Sequence, residues 1–181
     1  MRVISGSARR MVLAAPTGQD TRPTADRVKE NIFNIISPHV QDASFLDLFC
    51  GSGAMGIEAL SRGAARAVFV DSSSHAIATT QANLAHTRLA PNAKILPICA
   101  LTAIAKLAQE GNKFDIIFLD APYRQGLAEQ TLAAIAKHNI LAPGGIVATE
   151  CAKGEPTPHI PGLTLTDTRK YGNTRLILYT T

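Results

Sequence analysis

The sequence predicts an α/β fold built on a mostly parallel, seven-stranded sheet with helices on both faces. From residue 45 onward, short apolar runs alternate with helical patterns, which is typical of right-handed βαβ units. The run Phe114–Leu119 is apolar except for Asp115, as expected for a strand that is covered on both faces. The last two apolar runs have no helix between them, so the sheet should end in an antiparallel hairpin.

The same patterns place the individual elements in chain order. Strands are expected over residues 45–49, 67–70, 93–98, 114–119, 146–149, 163–168 and 174–180, and helices over residues 54–62, 73–89, 101–109 and 127–138. Pro97 should lie at a strand end or at the sheet edge, because proline donates no ladder hydrogen bond. The sequence Pro143-Gly144-Gly145 predicts a turn before the fifth strand.

Residues 1–44 precede the alternating pattern and are interpreted as a small basic extension packed on the main unit, residues 45–181. Residues 3–5 and 11–13 are expected to pair as a small hairpin, and residues 25–36 to form a helix capped by Thr24. The formal net charge is +4, and three of these four charges fall within the first 30 residues. The basic side chains there are candidate phosphate contacts: Arg2, Arg9, Arg10, Arg22, Arg27 and Lys29. A solvated basic face is the alternative, and Arg22 and Arg27 could instead order the N-terminal segment.

Composition excludes several classes of protein. With 181 residues and 46% hydrophobic residues, the chain is long enough for one domain with its own core. No apolar run approaches the ~18 residues that a membrane span needs. Three widely spaced cysteines without a CxxC pair argue against disulfides and structural zinc and favour the cytoplasm. The five histidines match no ligand spacing, so no metal is expected.

The segment after the first predicted strand carries a glycine-rich turn of the GxGxxG type, Gly51 to Gly56. At a strand-to-helix junction such a turn lets a ligand approach the backbone closely. Asp71 follows the second strand, where a carboxylate can bind the two hydroxyls of a ribose. Asp47 lies inside the first strand and suits an ammonium group better than a pyrophosphate. This combination favours S-adenosylmethionine (SAM) over NAD or FAD. Asn83, on the second predicted helix of the main unit, is expected to have a surface role.

A second motif, Asp120-Ala121-Pro122-Tyr123, follows the strand at residues 114–119. The carboxyl ends of strands in an open α/β sheet are where ligands bind. Asp120 and the carbonyl of Ala121 could each accept a hydrogen from an exocyclic amine, since Pro122 biases Ala121 towards an extended backbone. Tyr123 could stack on the base. The alternative is an ordinary strand-end turn.

Taken together, these motifs resemble the Class I SAM-dependent methyltransferases, and within them the RsmD family. The resemblance rests on the segment Arg22 to Asn34, on Leu46 to Gly53, on Glu58 to Ala64 and on Lys170 to Thr174. It implies a Rossmann-like fold and methylation of the N2 amine of guanine 966 in 16S rRNA. The implied catalytic residues are Asp120, Ala121, Pro122 and Tyr123, and the implied cofactor contacts are Asp47, Phe49, Gly51, Ser52, Gly53, Asp71, Ser72, Ala100 and Leu101.

The sequence departs from the family pattern at three points. Ala121 replaces the first proline of the usual DPP(Y/F), and Asp71 stands where Glu is usual. The segment Cys99-Ala100-Leu101 lacks the Asp that many methyltransferases place near the adenine, which leaves only backbone N–H groups to read it.

The implied partner is 16S rRNA in an assembling or assembled small ribosomal subunit, with the protein a cytoplasmic monomer. The alternatives are amino-methylation of another substrate such as adenine or a glutamine side chain, a non-catalytic SAM-binding RNA protein, and a nicotinamide oxidoreductase.

Overall fold

A single seven-stranded sheet forms the centre of the protein. The computed structural model describes residues 1–15, 23–122 and 126–181, without the side chains of residues 23–25 and 27. The strands are β1 (Ser44–Leu48), β2 (Arg66–Val70), β3 (Ala93–Leu96), β4 (Phe114–Leu119), β5 (Leu141–Ala152), β6 (Thr164–Tyr171) and β7 (Thr174–Thr180). Their order is β3-β2-β1-β4-β5-β7-β6. The first five run parallel, and β7 pairs antiparallel with both β5 and β6. The predicted fold class is confirmed.

Helices cover both faces of the sheet and divide the core into two apolar clusters. The helices are α1 (Pro23–Ile36), α2 (Ala54–Ser61), α3 (Ser74–Thr87), α4 (Ala100–Gln109) and α5 (Leu127–His138). One cluster contains buried residues of α1 and α2 with Leu84 of α3, and the other contains buried residues of α4 and α5. Val3 and Leu13 of the N-terminal segment belong to the first cluster, so this segment shares the main core.

Two regions of the sheet differ from the predicted boundaries. β5 begins at Leu141, five residues earlier than predicted, and includes the Pro-Gly-Gly run. The pairing with β4 shifts between Phe114–Leu141 and Ile116–Ile146, so four residues of β5 bulge out of the ladder. β6 also continues to Tyr171, because its pairing with β7 extends to the hairpin turn. The prediction for Pro97 is confirmed, since β3 ends at Leu96 on the sheet edge.

The N-terminal residues fold as a short hairpin against the end of α2. One antiparallel bridge joins Arg2 to Val12, one residue earlier than predicted on the first arm. Gly6 lies so close to α2 that a Cβ there would be 1.6 Å from the carbonyl oxygen of Ser61, with φ at +83°. Only glycine fits this approach without moving the backbone. α2 therefore carries the glycine-rich turn at its start and holds the hairpin at its end.

Candidate functional site

The two predicted motifs meet at the carboxyl edge of the sheet. β1 and β4 are neighbours at its centre, and the chain order reverses there, since β2 lies on one side of β1 and β4 on the other. Such switch points leave a crevice above the strand ends in open α/β sheets. The glycine-rich turn follows β1, and Asp120 to Pro122 follow β4. The topology therefore places both motifs beside one crevice.

Three alternate residues at the glycine-rich turn adopt a left-handed backbone conformation. Phe49, Gly51 and Gly53 have φ angles of 62°, 56° and 75°. A Cβ on Gly51 would meet nothing within 4 Å, whereas one on Gly53 would lie 2.9 Å from the Cγ2 of Thr80. The space above Gly51 is therefore open to a ligand, while Gly53 is fixed by packing. Burial raises the pKa of the Cys50 thiol, which makes this residue a poor nucleophile.

Asp47 lies beneath this turn and is only 2% exposed. Its Oδ2 accepts a hydrogen bond of 2.9 Å from the N–H of Gly56. Its pKa is raised to about 8, chiefly by burial and also by the charges of Asp120 and Asp71, against the opposing effect of the Gly56 hydrogen bond. A cation above the turn would lower this pKa, so the environment of Asp47 suits an ammonium ligand.

Asp71 joins the turn to the end of β2. One oxygen accepts the N–H of Gly51 at 2.9 Å, and the other accepts the N–H of Ser73 at 2.9 Å. Its side chain is half-buried, and the neighbouring Ser72 is exposed. Ser52 is buried in the turn itself. The carboxylate is thus held in a fixed orientation at the rim of the crevice.

β3 leads into the start of α4 at the same carboxyl edge of the sheet. Cys99 is the N-terminal flanking residue, and Ala100 and Leu101 are the first two helical residues. The N–H groups in the first turn of a helix have no partner within it. Ala100 is buried and Leu101 is partly exposed, so the pair offers backbone donors beside an apolar side chain.

The second motif forms the other wall of the crevice. Asp120 is exposed, yet the protein around it raises its pKa to about 6 by desolvation. Ala121 is buried and Pro122 exposed. Both line a cavity of about 260 Å³ together with Glu150 of β5 and residues at the start of α5. Tyr123 lies outside the described residues.

The candidate phosphate contacts separate into three groups. Arg2, Arg9 and Arg10 are exposed on the N-terminal hairpin. Arg22 and the side chain of Arg27 lie outside what the structure describes. The prediction for Lys29 is wrong: this side chain is 3% exposed, and its Nζ lies 3.2 Å from Glu58 Oε2. Desolvation lowers its pKa despite that carboxylate, so Lys29 serves the core and not a phosphate.

Three polar residues in this region were not predicted as important. Asn83 is 2% exposed, which contradicts the expected surface role, and its amide binds the N–H and C=O of Ala14 and the C=O of Ser52. Glu58 is fully buried, and Glu150 lies at the cavity. The sequence context of Asn83 gives no signal, because its partners Ala14 and Ser52 lie in distant parts of the chain.

Within residues 1–15, 23–122 and 126–181, no helix is long and apolar enough to cross a membrane. The same residues contain no group of three or more His, Cys, Asp or Glu side chains able to hold a metal ion.

Comparison with known proteins gives consistent matches along the chain. The model of the family described as "Conserved hypothetical protein 95" matches residues 1–180. The chain is 39% identical to "Putative rRNA methyltransferase YlbH" of Bacillus subtilis, over 99% of this chain and 98% of that protein. It is 37% identical to "Ribosomal RNA small subunit methyltransferase D" of Escherichia coli K12, over 89% of this chain and 79% of that protein. The solved structure of "Putative methyltransferase yhhF" from Escherichia coli superposes with a TM-score of 0.87 at 36% identity, covering 99% and 96% of the two chains.

Proposed function

This chain belongs to the family described as Conserved hypothetical protein 95, the RsmD family, and from that premise we propose that it is a SAM-dependent rRNA methyltransferase. We propose further that it transfers a methyl group to the N2 amine of guanine 966 in 16S rRNA. The observation that supports this most is the adjacency of the glycine-rich turn and the Asp120-Ala121-Pro122 segment on the neighbouring strands β1 and β4. A methyl donor and an amine acceptor need to meet at one place, and this crevice provides it.

The residues around the glycine-rich turn fit the cofactor. Open space above Gly51 admits a ligand against the backbone. Asp47 suits the ammonium of the methionine part, and Asp71 suits the ribose hydroxyls. The N–H groups of Ala100 and Leu101 are the proposed contacts of the adenine. Phe49, Ser52, Gly53 and Ser72 complete the proposed contacts. When bound, SAM supplies a methyl group activated by its sulfonium.

Asp120 and Ala121 orient the acceptor. The lone pair of an exocyclic amine is delocalised into the base, so the nitrogen is a weak nucleophile until it is held. The Asp120 carboxylate accepts one N–H and the Ala121 carbonyl accepts the other, which turns the lone pair towards the methyl group. The nitrogen would gain the methyl as the bond between that carbon and sulfur breaks, leaving S-adenosylhomocysteine, and would lose one proton, which Asp120 can accept. Positioning of this kind is the main catalytic effect, and Pro122 and Tyr123 complete the binding surface for the base.

The N-terminal extension, residues 1–44, supplies the RNA contacts in this account. Arg2, Arg9 and Arg10 are exposed on the hairpin, and the hairpin is fixed to α2 and hence to the cofactor turn. Arg22 and Arg27 complete the proposed contacts. A patch of this size makes few phosphate contacts, so we propose that folded rRNA in a small-subunit particle supplies the remaining affinity. The protein would act as a cytoplasmic monomer.

The test is transfer of a labelled methyl group from SAM to small-subunit RNA or particles by the purified protein. We expect the product to be N2-methylguanine. Asp120→Ala should abolish transfer while SAM still binds in a calorimetric titration. Undiminished transfer by Asp120→Ala would refute the role of Asp120, and a different methylated nucleoside would refute the proposed reaction.

A further inference from the structure

The cavity lined by Ala121 and Pro122, next to Asp120, also has three glutamates in its lining that the proposed reaction does not use: Glu129, Glu150 and Glu155. Glu150 lies on β5, and Leu119 pairs with Thr149 in the parallel β4–β5 ladder. Asp120 follows Leu119 directly after the end of β4, and Glu150 follows Thr149 within β5, so the two residues lie at the same level of neighbouring segments. Neighbouring strands are about 4.8 Å apart, and residues in register point to the same face of the sheet. Glu150 therefore lies beside Asp120, on the side away from Asp47 and β1.

The surroundings of Asp120 and Glu150 differ from those of structural carboxyl groups, which usually accept hydrogen bonds from the protein. Among the residues that the structure describes, none donates a hydrogen bond to the side chain of Asp120 or of Glu150. Desolvation and the charge of Asp120 raise the pKa of Glu150 to about 8. Two adjacent acids repel each other when both are ionised, and N–H donors from a ligand would relieve this repulsion. Their arrangement thus points to a ligand that presents N–H groups side by side.

The size of the cavity limits what such a ligand can be. At about 260 Å³ it is smaller than the ~300–1,000 Å³ typical of sites for drug-sized ligands. It can admit one flat group beside Ala121 and Pro122, such as a base turned out of an RNA strand. Guanine presents N1–H and the N2 amine next to each other on its Watson–Crick edge. Adenine presents an unprotonated N1 there.

We infer that Glu150 recognises the guanine ring by accepting its N1–H, while Asp120 holds the adjacent N2 amine. This inference rests on the proposed function, since it names the residue that selects the base for the same reaction. The methyl donor lies on the Asp47 side, the reacting amine at Asp120 and the recognised ring edge at Glu150. The order of strands β1, β4 and β5 in the sheet matches that sequence of roles.

The test compares guanine with 2,6-diaminopurine at the target position of ligated small-subunit RNA. Diaminopurine keeps the N2 amine but has a lone pair at N1, which would face the Glu150 carboxylate. Single-turnover rates would be measured with the full chain and labelled SAM at about pH 8.5, above the raised pKa of Glu150. We expect the wild-type protein to prefer guanine by about ten-fold or more, the size of a lost hydrogen bond to a charged group.

Glu150→Gln should remove most of this preference, because an amide can accept from the N1–H of guanine and donate to the N1 of diaminopurine. Glu110→Gln is the matched control: it changes the same side chain at an exposed position just after α4, outside the residues that line the cavity, and it should keep the wild-type preference. Thermal unfolding and SAM titration would verify that both variants fold.

The possible outcomes separate this inference from the proposed function. If the wild-type protein forms N2-methylguanine without preferring guanine, or if Glu150→Gln keeps the full preference, Glu150 does not recognise N1–H and only the inference is wrong. If the wild-type protein forms no N2-methylguanine on any small-subunit substrate, the proposed function is wrong and the inference falls with it.

Discussion

Replacing Glu58 with alanine should destabilise the protein far more than any change at an exposed acid. Glu58 is fully buried in α2. Its two oxygens accept the N–H groups of Ile4 and Ser5 at 2.8 and 3.0 Å. They also form ion pairs with Arg62 at 2.7 Å and with Lys29 at 3.2 Å. One carboxylate therefore binds the N-terminal hairpin and α1 to α2.

The cost can be estimated from the groups that Glu58→Ala leaves behind. Lys29 would retain a buried charge without its carboxylate, and breaking a buried pair in this way costs about 3–5 kcal/mol. The two backbone N–H groups are only partly buried and can regain water, so they add less than a fully buried donor would. We therefore expect a loss of about 4 kcal/mol. For a chain of this size that lowers the Tm by about 8–16 °C.

Lys29→Met provides the contrast. It removes the ammonium but leaves Glu58 with Arg62 and both backbone donors, so we expect a smaller loss of about 1–2 kcal/mol. Urea unfolding followed by circular dichroism measures both values. As a control, Glu110→Ala breaks the exposed pair with Lys94 and should have little effect. A free energy of unfolding for Glu58→Ala within about 1 kcal/mol of the wild-type value, or a larger loss for Lys29→Met, would contradict this role of Glu58.

Three further predictions, made with four substitutions, concern the cofactor side of the crevice. Asp47→Asn should raise the Tm more at pH 9 than at pH 5. The pKa of Asp47 in the folded state is raised to about 8, so its ionisation makes the folded state progressively less stable as the pH rises from about 4 to 8. The same variant should bind SAM at least about ten-fold more weakly in calorimetry. Asn83→Ala should cost about 1–3 kcal/mol in urea unfolding and weaken SAM binding, since it frees the backbone of Ser52. Gly51→Ala should cost only the left-handed strain of about 1–2 kcal/mol, and Gly53→Ala more, because only the second places a Cβ against Thr80.

Each of these three has an outcome that contradicts it. A Tm gain for Asp47→Asn that is equal at both pH values would mean that its carboxyl does not titrate as described. If Asn83→Ala bound SAM with wild-type affinity, Asn83 would not be needed to hold the turn in the conformation that binds SAM. Equal stability losses at Gly51 and Gly53 would contradict the difference in their surroundings.

The sheet and the position of the site were predictable because their signals are local. Each βα unit has its own apolar run, cap or glycine, and the glycine-rich turn lies within nine residues of Asp47. The carboxyl-edge rule then brings Asp47, Asp71 and Asp120 to one place without any knowledge of side-chain packing. β5 was predicted too short, because Pro143-Gly144-Gly145 predicts a turn whereas the ladder bulges and continues.

The contacts that fix the N-terminal extension were not predictable. Lys29 was interpreted as a phosphate contact because basic residues are usually exposed, but its partner Glu58 lies 29 residues away in another helix. A surface role is predicted for Asn83 because polar side chains on helices are usually exposed. Its partner Ala14 lies 69 residues away, so the sequence gives no sign of the contact that buries it. Such pairs depend on how α1, α2 and the hairpin pack against one another. The sequence of any single segment does not reveal this packing.

Nucleoside analysis of rRNA by mass spectrometry tests the central claim most directly. Small-subunit RNA from cells that lack this protein would be compared with RNA from cells that express the wild-type protein or Asp120→Ala. We expect N2-methylguanine at guanine 966 to be absent without the protein, restored by the wild-type protein and still absent with Asp120→Ala. Unchanged N2-methylguanine in cells lacking the protein, or loss of a different methylated nucleoside, would contradict the account.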